Sequence, residues 1–201
     1  MDGLVVRAGP RPLTTSATPH SQVNQQPPDG AHLAALLEKA RGWPGVEEAP
    51  SSISVPGAQA LVIIRGLPTG PPEAFLIDRE FCHGHAQGDY SLHLTLPAAL
   101  ALEAEQAGWV EPHYLVLTGR LPRTVVMLYA PRDAGEVTIA LQLVWASFTF
   151  ARGASTPTSS GPPGPESSSE RSPIVPPDQR MTHDFKEPHD QVRNWLSPDR
   201  R

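Results

Sequence analysis

Tyr90-Ser91-Leu92-His93-Leu94-Thr95-Leu96 places a leucine at every second position with a polar residue between. This period-two alternation marks a strand with one face in the core: Leu92, Leu94 and Leu96 point inward, and Ser91, His93 and Thr95 share the opposite face. Immediately upstream, Arg79-Glu80-Phe81-Cys82-His83-Gly84-His85-Ala86-Gln87-Gly88-Asp89 sets two further histidines among an arginine and two acids, on what Gly84 and Gly88 suggest is a turn. Imidazoles at this density are costly to bury for packing alone and suit proton transfer or metal ligation.

Working outward, His32 to Ala40 favours a helix with Leu33, Leu36 and Leu37 on one face and Gly42 as its stop. Ser51 to Val55 alternates briefly before Pro56 and predicts at most an edge strand. Ala58 to Arg65, rich in branched aliphatics between Gly57 and Gly66, predicts a buried strand, and Glu73 to Ile77 a second. Pro97 begins a helix over Ala98 to Ala107 that ends at Gly108. Val125 to Tyr129 predicts another strand, and Asp133 is a candidate N-cap for a long helix to about Ala151. In that helix Val137, Leu141, Val144, Trp145 and Phe148 recur at helical spacing, which fits a core helix better than a membrane span. Helix, strands, helix, strand and helix in this order imply an α+β fold: two layers, a mainly antiparallel sheet with helices packed on one face. The free face, with His93 and whatever loop covers it, is then the place for a site.

Composition divides the chain. Residues 1–30 carry five prolines among Ser, Thr, Gln and Gly, and 153–201 begins with a Pro/Ser-rich run, so both predict disorder around a domain at 31–152. In the tail, Val192, Trp195 and Leu196 could form one helical face for a protein partner. The formal net charge of -5 and a pI near 5.9 argue against nucleic acid as a partner. Cys82 is the single cysteine, which excludes an intramolecular disulfide, and Met1 to Arg7 lacks a signal peptide's apolar core. Both point to a reducing, cytoplasmic setting.

Four spaced motifs carry a family resemblance: Glu80-x-x-His83-x-His85, Gly88-Asp89-x-Ser91-Leu92-His93-Leu94, Gly108-Trp109-x-x-x-His113, and Tyr129-Ala130-Pro131-Arg132-Asp133-x-x-Glu136. From Glu80 to Phe150 the chain resembles the fungal luciferase domain family. Fungal luciferase adds molecular oxygen to a hydroxylated pyranone, giving a strained peroxide that loses carbon dioxide. The resemblance implies an oxygenase-like oxidoreductase acting on a small enolisable, hydroxypyranone-like molecule with oxygen as co-substrate. The alternative is a non-catalytic small-molecule-binding or interaction module on the same fold.

Such chemistry requires a base, a cation for the enolate and a dry pocket. His83, His85 and His93 are the base candidates, and Arg79 or Arg132 could supply the charge. Glu80 or Asp89 would orient an imidazole; with Ser91, Trp109 and His113 they are the candidate substrate contacts, although Trp109 also reads as core. The same three histidines, with a carboxylate nearby, could instead ligate a divalent metal. A Cys82–His83 nucleophilic pair is poorly placed, because strand neighbours face opposite sides.

Overall fold

The computed structural model describes residues 3–154. The tail's Val192, Trp195 and Leu196 lie outside them. Four helices, α1 (Ala31–Arg41), α2 (Ala98–Gln106), α3 (Tyr114–Leu117) and α4 (Ala134–Ala151), accompany six strands. The strands are β1 (Val46–Pro50), β2 (Gln59–Ile63), β3 (Glu80–Gly84), β4 (Leu92–Thr95), β5 (Val110–Pro112) and β6 (Val125–Leu128). They form one sheet in the order β1-β2-β3-β4-β6-β5, antiparallel at every pairing. The α+β architecture is therefore as the sequence implies.

One face carries the core. Leu61 and Ile63 of β2, Leu92 and Leu94 of β4, and Val126 and Leu128 of β6 pack against Leu33, Leu36 and Leu37 of α1 and Val137, Leu141, Val144 and Phe148 of α4. The α4 helix is long and apolar enough to cross a membrane, yet its apolar stripe is spent on this sheet. Trp43 closes the layer edge-on against Trp145, with ring centroids 4.8 Å apart. Asp133 caps α4 by accepting from the Glu136 N–H at 2.8 Å.

Several elements differ from expectation. His83 lies not on a turn but on strand β3, whose residues are all buried; the turn that Gly88 suggests is present at residues 86–89, just after His85. The strand expected at Glu73 to Ile77 is a 3-10 turn at Pro72–Ala74, because Pro71 and Pro72 withhold ladder donors. The edge strand runs at Val46–Pro50 rather than Ser51 to Val55, paired to β2 despite its acidic, weakly patterned sequence. Gly84 serves packing: a Cβ there would meet Leu33 Cδ1 of α1 at 2.8 Å.

The largest correction concerns the N-terminal lead, expected to be disordered. Residues 3–30 form no helix or named strand but pack on the domain through polar anchors. The Leu4 N–H donates to Glu103 Oε1 at 2.9 Å, and Arg7 pairs with Glu136 at 3.1 Å with both side chains buried. Gln22 donates its N–H to Asp89 and accepts from the Ala130 N–H at 2.9 Å. Low apolar content removes hydrophobic drive, but ion pairs and backbone partners supplied by the domain replace it.

Burial raises the Glu136 carboxyl, but hydrogen bonds from Arg132 and the charge of Arg7 outweigh it and hold the group below its ordinary 4.5. A depressed folded value means the contribution is complete above pH 4.5 and is lost as pH falls through the lower folded value. Glu136→Gln is expected to cost about 3 kcal/mol in urea unfolding at neutral pH. It should also flatten the fall in stability between about pH 5 and pH 3 relative to the parent protein. Gly84→Ala is expected to cost about 1–3 kcal/mol by overpacking against Leu33, read from the same unfolding curves.

Candidate functional site

The β2–β3 ladder contains the feature that builds the site. Leu61 faces Cys82 and Val62 faces Glu80, so Phe81 is an extra residue on β3. This bulge turns both Phe81 and Cys82 into the core, where the Phe81 ring lies 5.9 Å from that of Phe148. It also resets the alternation, so that Glu80 falls on the same face as His83. Cys82, buried in the core with its thiol pushed up by burial, is no nucleophile for His83.

Beyond the bulge the register is strict. His83 faces His93, His93 faces Met127, and Met127 faces Glu111, a single row across β3, β4, β6 and β5 on the face away from the helices. His85 continues β3, its N–H donating to the Ser91 carbonyl at 2.9 Å. His113 follows β5 and caps α3, its Nδ1 accepting from the Leu115 N–H at 3.2 Å. Over this face lies the N-terminal segment, which contributes His20.

The five rings converge on His93. Its centroid lies 5.1 Å from that of His83, 5.0 Å from His85, 5.0 Å from His113 and 5.4 Å from His20. His83 and His85 are each 2 % exposed, His20 4 % and His93 7 %, whereas His113 is partly exposed and marks the solvent side. Three of the rings are gripped from outside by carboxylates. His83 Nδ1 donates to Glu80 Oε1 at 2.6 Å, His85 Nδ1 to Asp89 at 3.1 Å, and His20 Nε2 to Glu111 Oε1 at 2.8 Å.

The carboxylates are themselves held. Asp89 also accepts from the Ser91 N–H at 2.8 Å, the Ser91 hydroxyl at 2.7 Å and the Gln22 N–H at 3.1 Å. Burial pushes Asp89 up, but these bonds, led by that from His85, outweigh it and set the carboxyl at about 2. Glu80 accepts from the Ser51 hydroxyl at 3.0 Å, and Glu111 from the Tyr129 hydroxyl at 2.9 Å. Glu111 is likewise lowered: burial raises it, and bonds from His20, Thr14 and Tyr129 prevail. The imidazoles move in the neutral direction. Desolvation lowers His83, lowers His93 well below its ordinary value, and brings His113 to about 3, aided by repulsion among the rings.

A carboxylate can only accept, so each of these contacts fixes a tautomer: the proton points outward to the acid and the lone pair inward to the cluster. His83 Nε2, His93 Nε2 and His20 Nδ1 are buried without a hydrogen-bond partner. Nitrogen atoms of His83, His85 and His93 lie within 4.8 Å of one another, as do those of His20, His93 and His113. The arrangement can therefore accept a proton on a buried face or ligate a metal ion.

Most candidates meet here: His83, His85, His93 and His113, with Glu80, Asp89 and Ser91. Three do not. The Arg79 guanidinium is consumed by the carbonyls of Ile63 at 2.7 Å, Ile64 at 2.8 Å and Leu67 at 3.0 Å. Arg132 pairs with Glu136 and donates to the Ala8 carbonyl at 2.8 Å. Trp109 is core, its indole N–H donating to the Val5 carbonyl at 2.6 Å. Sequence reasoning missed His20, Glu111 and Met127. Glu111 and His113 are two apart on one strand face, a signal hidden by the shortness of β5, whereas His20 stands in a proline-rich segment without periodicity.

A luciferase-domain family model matches residues 78–147, which hold every one of these site residues except Thr14, His20, Gln22 and Ser51. The luciferases of Armillaria mellea, Armillaria gallica and Armillaria ostoyae are each 29% identical to the chain in an alignment of 160 positions that covers 72% of the chain. The alignment spans 59% of the length of these relatives. No solved structure gives a significant match. The motif order, the matched span and the similarity to the Armillaria enzymes together support a luciferase domain at residues 78–147 of this chain.

Proposed function

We propose that the imidazole cluster is the centre of an oxygenase-like reaction on a small enolisable molecule of the hydroxypyranone kind, with histidine as general base. The observation that carries this reading is the His83–Glu80 pair: a neutral imidazole, oriented at Nδ1 and buried, with an unpartnered lone pair at Nε2. Such a group takes the enol proton when substrate enters, and the carboxylate stabilises the imidazolium that forms. The enolate carbon then adds dioxygen, both oxygen atoms enter the product, and the proton returns to the terminal peroxide oxygen. The sum is R–H + O2 → R–OOH, which needs no other oxidant.

Neither arginine candidate supplies the balancing charge, since both are engaged elsewhere. His113 offers a different electrophile: its Nδ1 accepts from a backbone N–H, so the neutral ring carries its proton on Nε2. An N–H donor in a desolvated site stabilises developing enolate charge without a full cation. The similarity to luciferases supports the reading at the level of the domain family.

Oxygen uptake measured with an electrode across a panel of hydroxypyranones tests this. The parent protein is expected to consume oxygen with at least one member, and His83→Ala to lower the rate about 10²- to 10⁴-fold. Glu80→Gln should lower it by less while the protein stays folded by circular dichroism. Absence of uptake by folded protein across the panel, or a rate indifferent to His83, would overturn the reading.

A further inference from the structure

The five rings differ in which nitrogen is free, and this sorts them by chemistry. His83 and His85 each spend Nδ1 on a carboxylate, so Nε2 carries a lone pair into the cluster. His93 lies between them in ring distance, with a buried and unpartnered Nε2. His113 uses its lone pair on the Leu115 N–H and keeps a proton on Nε2, so a metal could bind it only by displacing one or the other. The group that contains His113 is thus a poor ligand set, although its atoms are equally close.

We infer that His83, His85 and His93 form a three-imidazole site for a divalent first-row transition-metal ion, with Glu80 and Asp89 as its orienting carboxylates. Ligating histidines characteristically donate their other N–H to a carboxylate, which fixes the ring and raises its basicity, and two of the three rings here do so. Neutral imidazole suits zinc, iron, cobalt, nickel or copper and gives no advantage to magnesium or calcium. Three protein ligands leave a position open for an oxygen ligand from substrate or water. The charge also favours a cation, because the carboxylates of Glu80, Asp89 and Glu111 border the rings of His83, His85 and His20. The two arginines expected nearby are engaged elsewhere. This inference uses the same His83 lone pair as the proposed reaction, and a bound ion would occupy it, so the base acts in metal-free protein; the site itself stands on ligand geometry and is tested without reference to turnover.

The experiment uses tag-free full-length protein. Metal content after purification without added ions is measured by plasma mass spectrometry, and chelator-stripped protein is titrated with cobalt(II) while its visible ligand-field bands are recorded. One metal ion per chain in either measurement is expected. Its affinity should fall about 10- to 100-fold in Glu80→Gln and Asp89→Asn, both checked for folding by circular dichroism. Binding should be abolished in the His83→Ala/His85→Ala/His93→Ala variant, and stoichiometry retained in His113→Ala. If the triple variant does not fold, the two carboxylate variants decide.

Failure of the folded protein to bind cobalt(II), or binding that the carboxylate variants leave unchanged, overturns the inference. So does loss of metal in His113→Ala alone. Metal binding with no oxygen uptake by either loaded or stripped protein would remove the proposed reaction and leave the site standing. Uptake by stripped protein that binds no cobalt(II) would do the reverse.

Discussion

Phe81 has no partner across the β2–β3 ladder, and the rest of the site depends on that one-residue excess. Under strict alternation Glu80 would point with Cys82 and Gly84 into the helix layer, where an ionised carboxylate would have no donor. Phe81 would lie on the imidazole face and fill it. The bulge reverses both placements at once. An aromatic ring goes to the α4 aromatic group, and a carboxylate comes within 2.6 Å of His83. Packing and chemistry are thereby coupled, because the burial of Phe81 among core side chains is what holds Glu80 on the imidazole face.

Collecting imidazoles and acids on a buried face is expensive unless each polar atom is satisfied. Here satisfaction is arranged from the outside. Ser51 supports Glu80, Ser91 and Gln22 support Asp89, Tyr129 supports Glu111, and each acid takes the outer N–H of a ring. A core histidine kept only for packing gains most by satisfying both nitrogens. His83 satisfies one and leaves the other turned toward His93 without a partner. Buried lone pairs left open in a shell of hydrogen-bonded supports are a pre-organised acceptor, and the domain carries their desolvation through its extensive sheet and helix core.

The fold was legible where burial is one-sided. Leucines at alternate positions of β4 and the apolar stripe of α4 each encode a face, and the sheet with helices on one side follows from them. Glu73 to Ile77 misled because apolar residues near prolines imitate a strand while lacking ladder donors. The β3 segment misled because buried residues on both faces, together with a bulge, erase alternation, and Gly84 then extends upstream a turn that begins only after His85. Motif spacing found His83, His85, His93 and His113 but placed Arg79 and Arg132 among them. Side-chain reach is not written in spacing, and both guanidiniums turn back to carbonyls and an acid near their own elements.

His20 shows why the family match does not carry the whole site with it. The family match begins at residue 78, after the N-terminal segment has already crossed the site face. That segment has too little apolar surface to order itself, and it does so on partners the matched domain supplies: Glu136 for Arg7, Asp89 for Gln22, Glu111 for His20. In return it gives a fifth imidazole and shields the cluster from water. Asp89 binds both the covering strand of chain and His85, so any movement of the cover is felt at a ring in the candidate metal site. The matched domain thus sets the ligand geometry, while the segment outside the match sets solvent access and the polarity of the roof.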